Sequence, residues 1–426
     1  MLAVARVTAP HVCGSTYRST ATRSLIAHHA LRSYASHAKT FDAVVIGGGP
    51  GGLTSVGKLL DEGLERIALV DDMNFTAGRI NQKYREVPSN TKTSMFDKWA
   101  NGSEAFQKAL QRRNTSNNAY DKMLTFDQDA GCLLGDAIDV AKLISDGLRA
   151  DPRVSTIAAH AKVLENTGSS WNLPELDVRT DRVVLAVGSH PRPHNLADKF
   201  PHLTAVHLDT ALKPSILKDA IPRGSRVGVI GSSHSAILAL KHLSELPYIK
   251  IVNFYRSELL YAIYNLTSPG STTPWIKYDN TGLKGIASEW AKNVLASSEL
   301  PSNLQRVNLK ADSRSEEDIY NTELKHCTHL ISAIGYNSNP IPKITVDRKQ
   351  VEPVFDPLSG RFFRAKGDKE VLPGLFGAGI GEIRFTLRDD SYTDVLNKAY
   401  PERVTDPEGN VESAVGTASL LPPKYD

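Results

Sequence analysis

A short apolar run that ends in a glycine-rich turn constrains this chain more than any other feature. Val44-Val45-Ile46 has the composition of a buried parallel strand, and Gly47, Gly49 and Gly52 follow it in a GxGxxG pattern. The first glycine permits the tight bend, the second lets the backbone approach a pyrophosphate, and the third lets a helix pack on the strand. A helix predicted over residues 53–62 would direct its N-terminal N–H groups at the phosphates. The pattern therefore predicts a dinucleotide-binding unit.

An acidic residue follows the second predicted strand, where a dinucleotide-binding unit has one. A second predicted strand over residues 66–70 is followed by Asp71, 24 residues after Gly47. That spacing is near the one expected of a carboxylate that binds ribose hydroxyls. Because strand, helix, second strand and acid occur in order, a bound dinucleotide is a better interpretation than a glycine-rich turn without a ligand.

A second strand–turn–helix unit begins far downstream. A strand is predicted over residues 226–230, and the small residues Gly231, Ser233 and Ala236 occupy the three turn positions before an apolar helix over residues 237–246. The next strand, over residues 250–255, ends at Arg256 and lacks an acid there. An arginine at this tip suits a 2′-phosphate and favours NADPH over NADH, although a solvent-facing loop arginine is the alternative.

Further strand-to-glycine junctions predict how the two units are combined. They occur at residues 183–188, 329–335 and 372–379, and amphipathic helices are predicted over 136–148 and 406–415. The fold class is therefore α/β, with two Rossmann-like dinucleotide-binding domains, the second inserted into the first. We expect residues 41–200 and 340–426 to form the first domain and residues 205–335 the second. Residues 265–274 and 310–317 are predicted to be polar surface loops.

The N-terminal 40 residues have the composition of a leader. The first 41 residues contain no Asp or Glu, and five basic residues lie among Ser, Thr, Ala and His. An acid-free, basic and hydroxylated segment is typical of an organelle transit peptide, here most compatible with mitochondria. The alternatives are a disordered tail or a misassigned start, and the protein would then be cytoplasmic.

Composition excludes several other classes. The net charge of +3 has no dense basic stripe, which argues against nucleic-acid binding. No apolar run approaches the roughly 20 residues of a membrane-spanning helix. The chain has three cysteines, Cys13, Cys132 and Cys327, and they form neither a CxxC redox pair nor a metal-ligand pattern, so we expect no metal site.

Taken together, these motifs resemble the flavoproteins with two dinucleotide-binding domains, a group that includes pyridine nucleotide-disulfide oxidoreductases and flavin-containing monooxygenases. The resemblance covers nearly all of residues 42–415. It implies that the first glycine turn and Asp71 bind FAD, and that the second turn binds NADPH, with Arg256 on its 2′-phosphate. It also implies cofactor contacts at Gly188, in a motif similar to the family's ATG-x-x-P strand, and at Gly379, in a motif similar to its flavin-ribityl segment. In that segment the family usually has Asp after the glycine, where this chain has Ile380.

The members of this group differ in the reaction of the reduced flavin, which passes electrons to a dithiol in disulfide reductases and to oxygen in monooxygenases. A disulfide reductase needs a dithiol, which is missing here. Residues 89–92, Ser-Asn-Thr-Lys, resemble a monooxygenase segment whose asparagine hydrogen-bonds a peroxyflavin oxygen or the nicotinamide, so Asn90 is the candidate catalytic residue; a turn-capping asparagine is the alternative. The resemblance therefore implies an NADPH-dependent monooxygenase that uses molecular oxygen and a small-molecule substrate. An NAD(P)H reductase without oxygen insertion and a degenerate flavin-binding protein remain open.

Overall fold

The computed structural model describes residues 38–72, 75–112, 118–168, 170–264, 278–279, 282–297, 300–311, 314–357, 359–368 and 370–379. The predicted leader and the predicted helix over 406–415 lie outside these residues, apart from the last residues before the first strand. Everything described belongs to one compact unit that begins at Ala38.

Short strands alternate with helices along most of this unit. The strands are β1 (Lys39–Phe41), β2 (Ala43–Ile46), β3 (Ile67–Val70), β4 (Pro88–Lys92), β5 (Gly131–Leu133), β6 (Val154–Ile157), β7 (Val163–Asn166), β8 (Trp171–Leu173), β9 (Val178–Thr180), β10 (Val183–Leu185), β11 (Ser189–Pro191), β12 (Thr204–Val206), β13 (Arg226–Ile230), β14 (Lys250–Tyr255), β15 (Ile263–Tyr264), β16 (Tyr278–Asp279), β17 (Leu304–Asn308), β18 (His329–Ser332), β19 (Tyr336–Ser338), β20 (Lys343–Val346), β21 (Lys349–Val351), β22 (Val354–Asp356), β23 (Arg361–Phe363) and β24 (Val371–Gly377). The α-helices are α1 (Pro50–Asp61), α2 (Arg79–Lys83), α3 (Thr93–Ala100), α4 (Glu104–Arg112), α5 (Ala119–Leu124), α6 (Leu134–Arg149), α7 (Leu196–Lys199), α8 (Leu208–Ala211), α9 (Pro214–Ala220), α10 (His234–Ser244), α11 (Gly285–Trp290) and α12 (Glu316–Glu323).

The first dinucleotide unit is built on a seven-stranded sheet. Its described strands run in the order β22-β23-β24-β10-β2-β3-β6. The five from β24 to β6 are parallel, and β22 and β23 extend the sheet antiparallel at one edge. Both β2 and β3 are fully buried, which explains their continuous apolar sequences, because helices or a second sheet cover each face. Helices α1 and α6 pack on one face, and the six-stranded sheet β1-β9-β8-β7-β20-β21 supplies the core on the other.

The second dinucleotide unit is a five-stranded parallel sheet. Its order is β12-β18-β13-β14-β17. One apolar core lies under α10 and a second under α12. All of its described strands come from residues 204–332, between β10 and β24 of the first sheet, so the second unit is inserted into the first as the sequence predicts. The boundaries predicted for the two domains stay a prediction.

A narrow antiparallel ribbon carries the chain between the two units. Strand β11 leads out of the first unit and β19 leads back, and they pair Ser189 with Ser338 and Pro191 with Tyr336. Asn339 fixes the base of this ribbon, since its amide donates to Val187 O at 2.7 Å and its Oδ1 lies 2.8 Å from His190 Nδ1. In the described part of the chain no helix is both long and apolar enough to cross a membrane.

The helices begin and end where the sequence provides the signals. Helix α1 has Gly49 as its N-cap and Pro50 at its first position, where proline loses no helical hydrogen bond. It ends before Gly63, whose φ of +82° provides the left-handed residue that commonly follows a helix. The prediction of a polar loop over residues 310–317 is wrong at its end. Glu316 begins α12, because Ser315 and Asp318 form a capping box at that point.

Candidate functional site

The first glycine turn is closed on its protein side and open on its outer side. Gly47 has φ +111°, and a Cβ on it would lie 2.3 Å from Ala186 O. A Cβ on Gly52 would lie 1.8 Å from Gly47 O, so neither position accepts a side chain. A Cβ on Gly49 would meet nothing within 4 Å. Gly49 caps α1 without a side-chain hydrogen bond, so the turn offers free space at a helix N-terminus, which fits an approaching pyrophosphate.

Asp71 supports this turn directly. Its Oδ1 accepts a hydrogen bond from Gly48 N at 3.0 Å, and its Oδ2 accepts one from Phe75 N at 2.9 Å. The residue is buried, with 6% of its surface exposed. Both oxygens of the Asp71 carboxylate therefore hold backbone N–H groups, one in the glycine turn and one just after β3. Its contact with Gly48 is a structural role that the sequence spacing does not predict.

Two other segments meet the same turn. A Cβ on Gly51 would lie 3.0 Å from the Cα of Gly379, which places the end of β24 beside the start of α1. A Cβ on Gly78 would lie 3.4 Å from the Cα of Gly49. Gly188 lies at the start of the ribbon, with φ +73° and a Cβ position 3.7 Å from Asn339 Nδ2. The structure therefore brings Gly379 to the first turn and places Gly188 at the linker two residues beyond Ala186.

The second glycine turn has the same construction. Gly231 has φ +123°, and a Cβ on it would lie 2.4 Å from Ala333 O. Ser233 is the N-cap of α10 and makes no side-chain cap hydrogen bond, and Ala236 is fully buried in the first helical turn. Serine in place of the usual second glycine therefore leaves the helix N-terminus uncapped by its own side chain, as a phosphate ligand requires.

Asn253 is a supporting residue that sequence reasoning missed. It is fully buried in β14, and its amide donates to Gly231 O at 2.8 Å and to Val229 O at 3.2 Å. Arg306 donates to its Oδ1 at 3.2 Å. The available signal is a single amide among the apolar residues of the strand, since a buried polar side chain is retained where it satisfies hydrogen bonds.

Arg256 lies at the tip of β14, where it is predicted, but it already has a partner. Its Nε and Nη2 donate to the two carboxylate oxygens of Glu316 at 2.8 and 2.7 Å. The arginine side chain is 58% exposed and the glutamate 35% exposed. This bidentate pair joins β14 to the first turn of α12 at the edge of the predicted coenzyme site.

His234 occupies the first position of α10, beside the second turn. Burial and the positive charge of Lys284 lower its pKa to about 4. The imidazole is therefore neutral at physiological pH, and the second turn carries no added positive charge from this residue.

Asn90 lies in β4, a strand that contacts the second unit. The residue is exposed, and Thr91 Oγ1 donates to its Oδ1 at 3.4 Å. Strand β4 pairs with β5, and a Cβ on Gly285 at the start of α11 would lie 3.4 Å from the carbonyl of Ser89. Asn90 therefore lies on the first unit at the place where that unit meets α11 of the second.

A cluster of hydrogen bonds joins the two units beside this contact. Arg79 and Tyr84 of the first unit both donate to Asp209 of the second, Arg79 Nη2 to Oδ2 and Tyr84 Oη to Oδ1 at 2.9 Å. The Arg79 side chain is 23% exposed and that of Asp209 is 9% exposed. Burial and a hydrogen bond with Tyr336 raise the pKa of Tyr84, so its hydroxyl remains a donor. We call Arg79, Tyr84 and Asp209 the clasp.

Further contacts extend the clasp along both segments. Lys213 donates from Nζ to Gln82 O at 2.6 Å. Ser215 donates to Glu86 from its backbone N at 3.0 Å and from Oγ at 2.5 Å. The clasp and these contacts were not predicted from the sequence, and they hold residues 79–86 against residues 209–215.

The described residues contain neither a metal site nor a pair of thiols that could act as a redox dithiol. Cys132 and Cys327 are both buried and free, and burial raises the pKa of each thiol. No group of three or more His, Cys, Asp or Glu side chains in the described part of the chain is arranged to hold a metal ion.

Comparison with known proteins identifies the family. No family model matches the chain. Over 396 residues the chain is 37% identical to the monooxygenase AgnR1 of Paecilomyces divaricatus, covering 88% of this chain and 93% of that protein. A solved FAD-bound structure of OTEMO has a TM-score of 0.51 and 12% identity, over 79% of this chain and 78% of that one, which shows the fold. The Kutzneria sp. 744 ornithine N-hydroxylase is similar over 79% of this chain and 92% of its own, with a TM-score of 0.49 and 14% identity.

The AgnR1 match covers 88% of the chain, and the OTEMO likeness shows the same fold. The resemblance to two-domain flavoproteins that the motifs predict is therefore confirmed. The chain belongs to the family of monooxygenases that includes AgnR1, built on the fold with two dinucleotide-binding domains.

Proposed function

We propose that the protein is an FAD-dependent monooxygenase that takes hydride from NADPH and inserts one oxygen atom into a small organic substrate. The observation that carries this proposal is the pair of glycine turns in one compact unit, each closed from within by backbone and open at a helix N-terminus. The 37% identity to a monooxygenase over nearly the whole chain selects oxygen insertion among the reactions that this fold supports.

The first turn is assigned to FAD. Gly49 provides the free approach for the pyrophosphate, while Gly47 and Gly52 keep the turn tight enough to present the N-terminus of α1. Asp71 holds the turn through Gly48, and its place at the end of β3 assigns its carboxylate to the ribose hydroxyls. Gly379 extends the same site from the end of β24, and Gly188 extends it from the end of β10.

The second turn is assigned to NADPH. Gly231, Ser233 and Ala236 present the N-terminus of α10 to the pyrophosphate, and Asn253 holds the carbonyl of Gly231. Arg256 at the tip of β14 is assigned to the 2′-phosphate, with donors that remain after it pairs with Glu316.

When bound, the flavin would accept hydride from the nicotinamide and then react with molecular oxygen. The residues of this chain position the two units for that transfer. The clasp fixes their orientation, and Val87 of the first unit packs into the apolar core of the second with Tyr84, Leu134 and Tyr336 against it. This packing places apolar side chains next to the clasp. Asn90, the residue after the Ser89 carbonyl that lies near α11, is assigned to hydrogen-bond the reacting oxygen or the nicotinamide amide.

Disulfide reduction does not compete with this proposal, because both described cysteines are buried and unpaired. An NAD(P)H oxidase-type reductase uses the same two sites and differs only in the fate of oxygen. The discriminating experiment therefore follows oxygen.

The purified full chain is reduced anaerobically with NADPH and mixed with isotopically labelled oxygen gas in the presence of a panel of small organic compounds. We expect stoichiometric FAD, bleaching by NADPH, a measurable lag before hydrogen peroxide is released, and label in one organic product. Immediate release of peroxide equal to the NADPH consumed, with no labelled product, would identify a reductase. A protein that stays colourless after incubation with FAD would contradict the flavin assignment itself.

We also propose that the N-terminal 40 residues direct the protein to mitochondria. Their support is the absence of acids among the first 41 residues together with Arg6, Arg18, Arg23 and Arg32. Residues 1–40 fused to a fluorescent protein should give mitochondrial fluorescence, and a matched fusion with these four arginines changed to glutamine should not. Diffuse cytoplasmic fluorescence of the first fusion would show that the segment is not a targeting signal.

A further inference from the structure

The Arg256–Glu316 pair places a negative charge beside the residue assigned to a 2′-phosphate. Glu316 occupies the Nε and Nη2 donors at 2.8 and 2.7 Å. A guanidinium has five N–H donors in all, so three remain for another acceptor. Any phosphate that uses those donors comes close to the Glu316 carboxylate, because both groups bind the same planar fork.

Glu316 is held in this place by its helix. It is the first residue of α12, and the capping box between Ser315 and Asp318 fixes the start of that helix. The carboxylate therefore lies opposite Arg256 as part of a folded element.

We propose that Glu316 reduces the preference of this protein for NADPH over NADH, because its carboxylate opposes the 2′-phosphate of NADPH at Arg256. The inference rests on the proposed function and deepens it. Glu316 offsets part of the positive charge that makes Arg256 attractive to a phosphate, and it repels the phosphate itself. It exerts little effect on NADH, which has a neutral 2′-hydroxyl at the same position.

The alternative is that the ion pair with Glu316 favours phosphate binding, because it orients Arg256. Two carboxylate contacts hold the guanidinium plane, and a held arginine loses less freedom when it binds phosphate. Exposed ion pairs contribute little, however, whereas a doubly charged phosphate several ångströms from a carboxylate feels a repulsion larger than that contribution. The balance favours repulsion.

Glu317 supplies a matched control in the same helical turn. It pairs with Lys199 at 3.1 Å, and no contact joins it to Arg256 among the described hydrogen bonds and ion pairs. Glu317→Gln removes one negative charge next to Glu316 in sequence and releases Lys199, so it reports the loss of a neighbouring exposed carboxylate that does not pair with Arg256.

The test is calorimetric titration of FAD-loaded full-length protein with NADP⁺ and with NAD⁺, which measures binding without turnover. We expect Glu316→Gln to tighten NADP⁺ binding by about five- to tenfold at low salt, and the gain to shrink at high salt because the added ions screen the charges. NAD⁺ binding should change by less than about twofold, the size of a minor surface effect. Glu317→Gln should leave the ratio of the two affinities unchanged.

A second pair of probes isolates the phosphate. The same gain should appear for 2′,5′-ADP and not for 5′-AMP, which differ only in the 2′-phosphate. Equal changes for both nucleotides, equal effects of Glu316→Gln and Glu317→Gln, or weaker NADP⁺ binding by Glu316→Gln would each overturn the inference while leaving the proposed function intact. If neither NADP⁺ nor NAD⁺ binds the wild-type protein, the coenzyme assignment and this inference both fail.

Discussion

Tyr84 and Asp209 belong to different dinucleotide units, yet the Tyr84 hydroxyl donates to Asp209 Oδ1 at 2.9 Å. Arg79 donates to the other oxygen of the same carboxylate. One buried carboxylate thus receives two donors from the opposite unit, and both bonds are lost together if the units separate. The relative orientation of the flavin and coenzyme units is therefore held by specific polar contacts in addition to apolar packing.

We expect removal of the Asp209 carboxylate from the clasp to cause a large loss of stability. Asp209→Ala leaves the mostly buried Arg79 guanidinium without its counter-charge, so we expect the free energy of unfolding to fall by about 3 kcal/mol. Urea unfolding followed by circular dichroism measures this change. Tyr84→Phe removes a hydroxyl that hydrogen-bonds Asp209 and Arg79 but removes no charge, so it should cost less, about 2 kcal/mol.

Arg85 and Asp139 provide the matched control for this prediction. They form a bidentate pair at 2.8 Å, but both lie in the first unit, and their side chains are 42% and 38% exposed. Asp139→Ala should cost less than about 1 kcal/mol, because solvent screens the pair. Equal losses for Asp209→Ala and Asp139→Ala would show that the clasp has no special energetic role.

We expect glycine-to-alanine substitution to have very different effects on stability at two positions of the first glycine turn. Gly47→Ala introduces a Cβ 2.3 Å from Ala186 O at a residue with φ +111°, so we expect a loss of about 3 kcal/mol or more in stability. Gly49→Ala meets nothing within 4 Å, and the unfolding free energy without FAD should stay within about 1 kcal/mol of the wild type.

The Gly49→Ala protein should nevertheless bind FAD poorly. Its new methyl group projects into the space assigned to the pyrophosphate, and losing one or two backbone hydrogen bonds to that group weakens binding by about 10- to 100-fold. Fluorescence titration of the apoprotein with FAD measures the affinity. A Gly49→Ala protein that binds FAD as tightly as the wild type would place the pyrophosphate elsewhere.

The parts of the structure that the sequence predicts are those encoded by neighbouring residues. Strand β14 begins and ends where it is predicted, and β2, the turn and α1 follow from an apolar run, three glycines and a proline. Each of these signals acts within a few residues. Local chemistry therefore suffices to predict both dinucleotide units and the insertion of one into the other.

The interactions that sequence reasoning missed join residues far apart in the chain. Arg79 and Asp209 are separated by 130 positions, and Arg256 and Glu316 by 60. Nothing near either residue indicates its partner, because the contact depends on how the two units pack. The capping box at Ser315 is different, since its signal is local and the prediction of a loop there overlooked it.

His234 predicts a pH dependence of stability. Its pKa is about 4 in the folded protein and near 6.5 in the unfolded chain, so between these values the unfolded chain binds the proton more readily. The stability that depends on neutral His234 is complete above pH 6.5 and is lost as the pH falls towards 4. We expect His234→Gln to lose less stability than the wild type between pH 7.5 and pH 5, measured by urea unfolding at each pH.

The exposed His326 is the control for this effect. His326→Gln should follow the wild-type curve, because the residue lies outside the second glycine turn. Parallel curves for the wild type and His234→Gln would show that burial of His234 does not affect the acid sensitivity of the fold.

We expect substitution of Asn90 to impair only the reaction of the reduced flavin with oxygen. Because its side chain is exposed, Asn90→Ala should change the free energy of unfolding by less than about 0.5 kcal/mol. Reduction of the flavin by NADPH should also be unchanged if the amide acts on oxygen. Removing one positioned hydrogen-bond donor commonly costs about 100-fold in the step that it assists, so the lag before peroxide release should shorten by a comparable factor.

Stopped-flow mixing of the reduced protein with oxygen measures that lag, and the preceding anaerobic step measures reduction. Slower reduction with an unchanged lag would assign the Asn90 amide to the nicotinamide instead. No change in either step would mean that Asn90 is a structural residue of β4, because a group in contact with the reacting atoms must alter at least one of them.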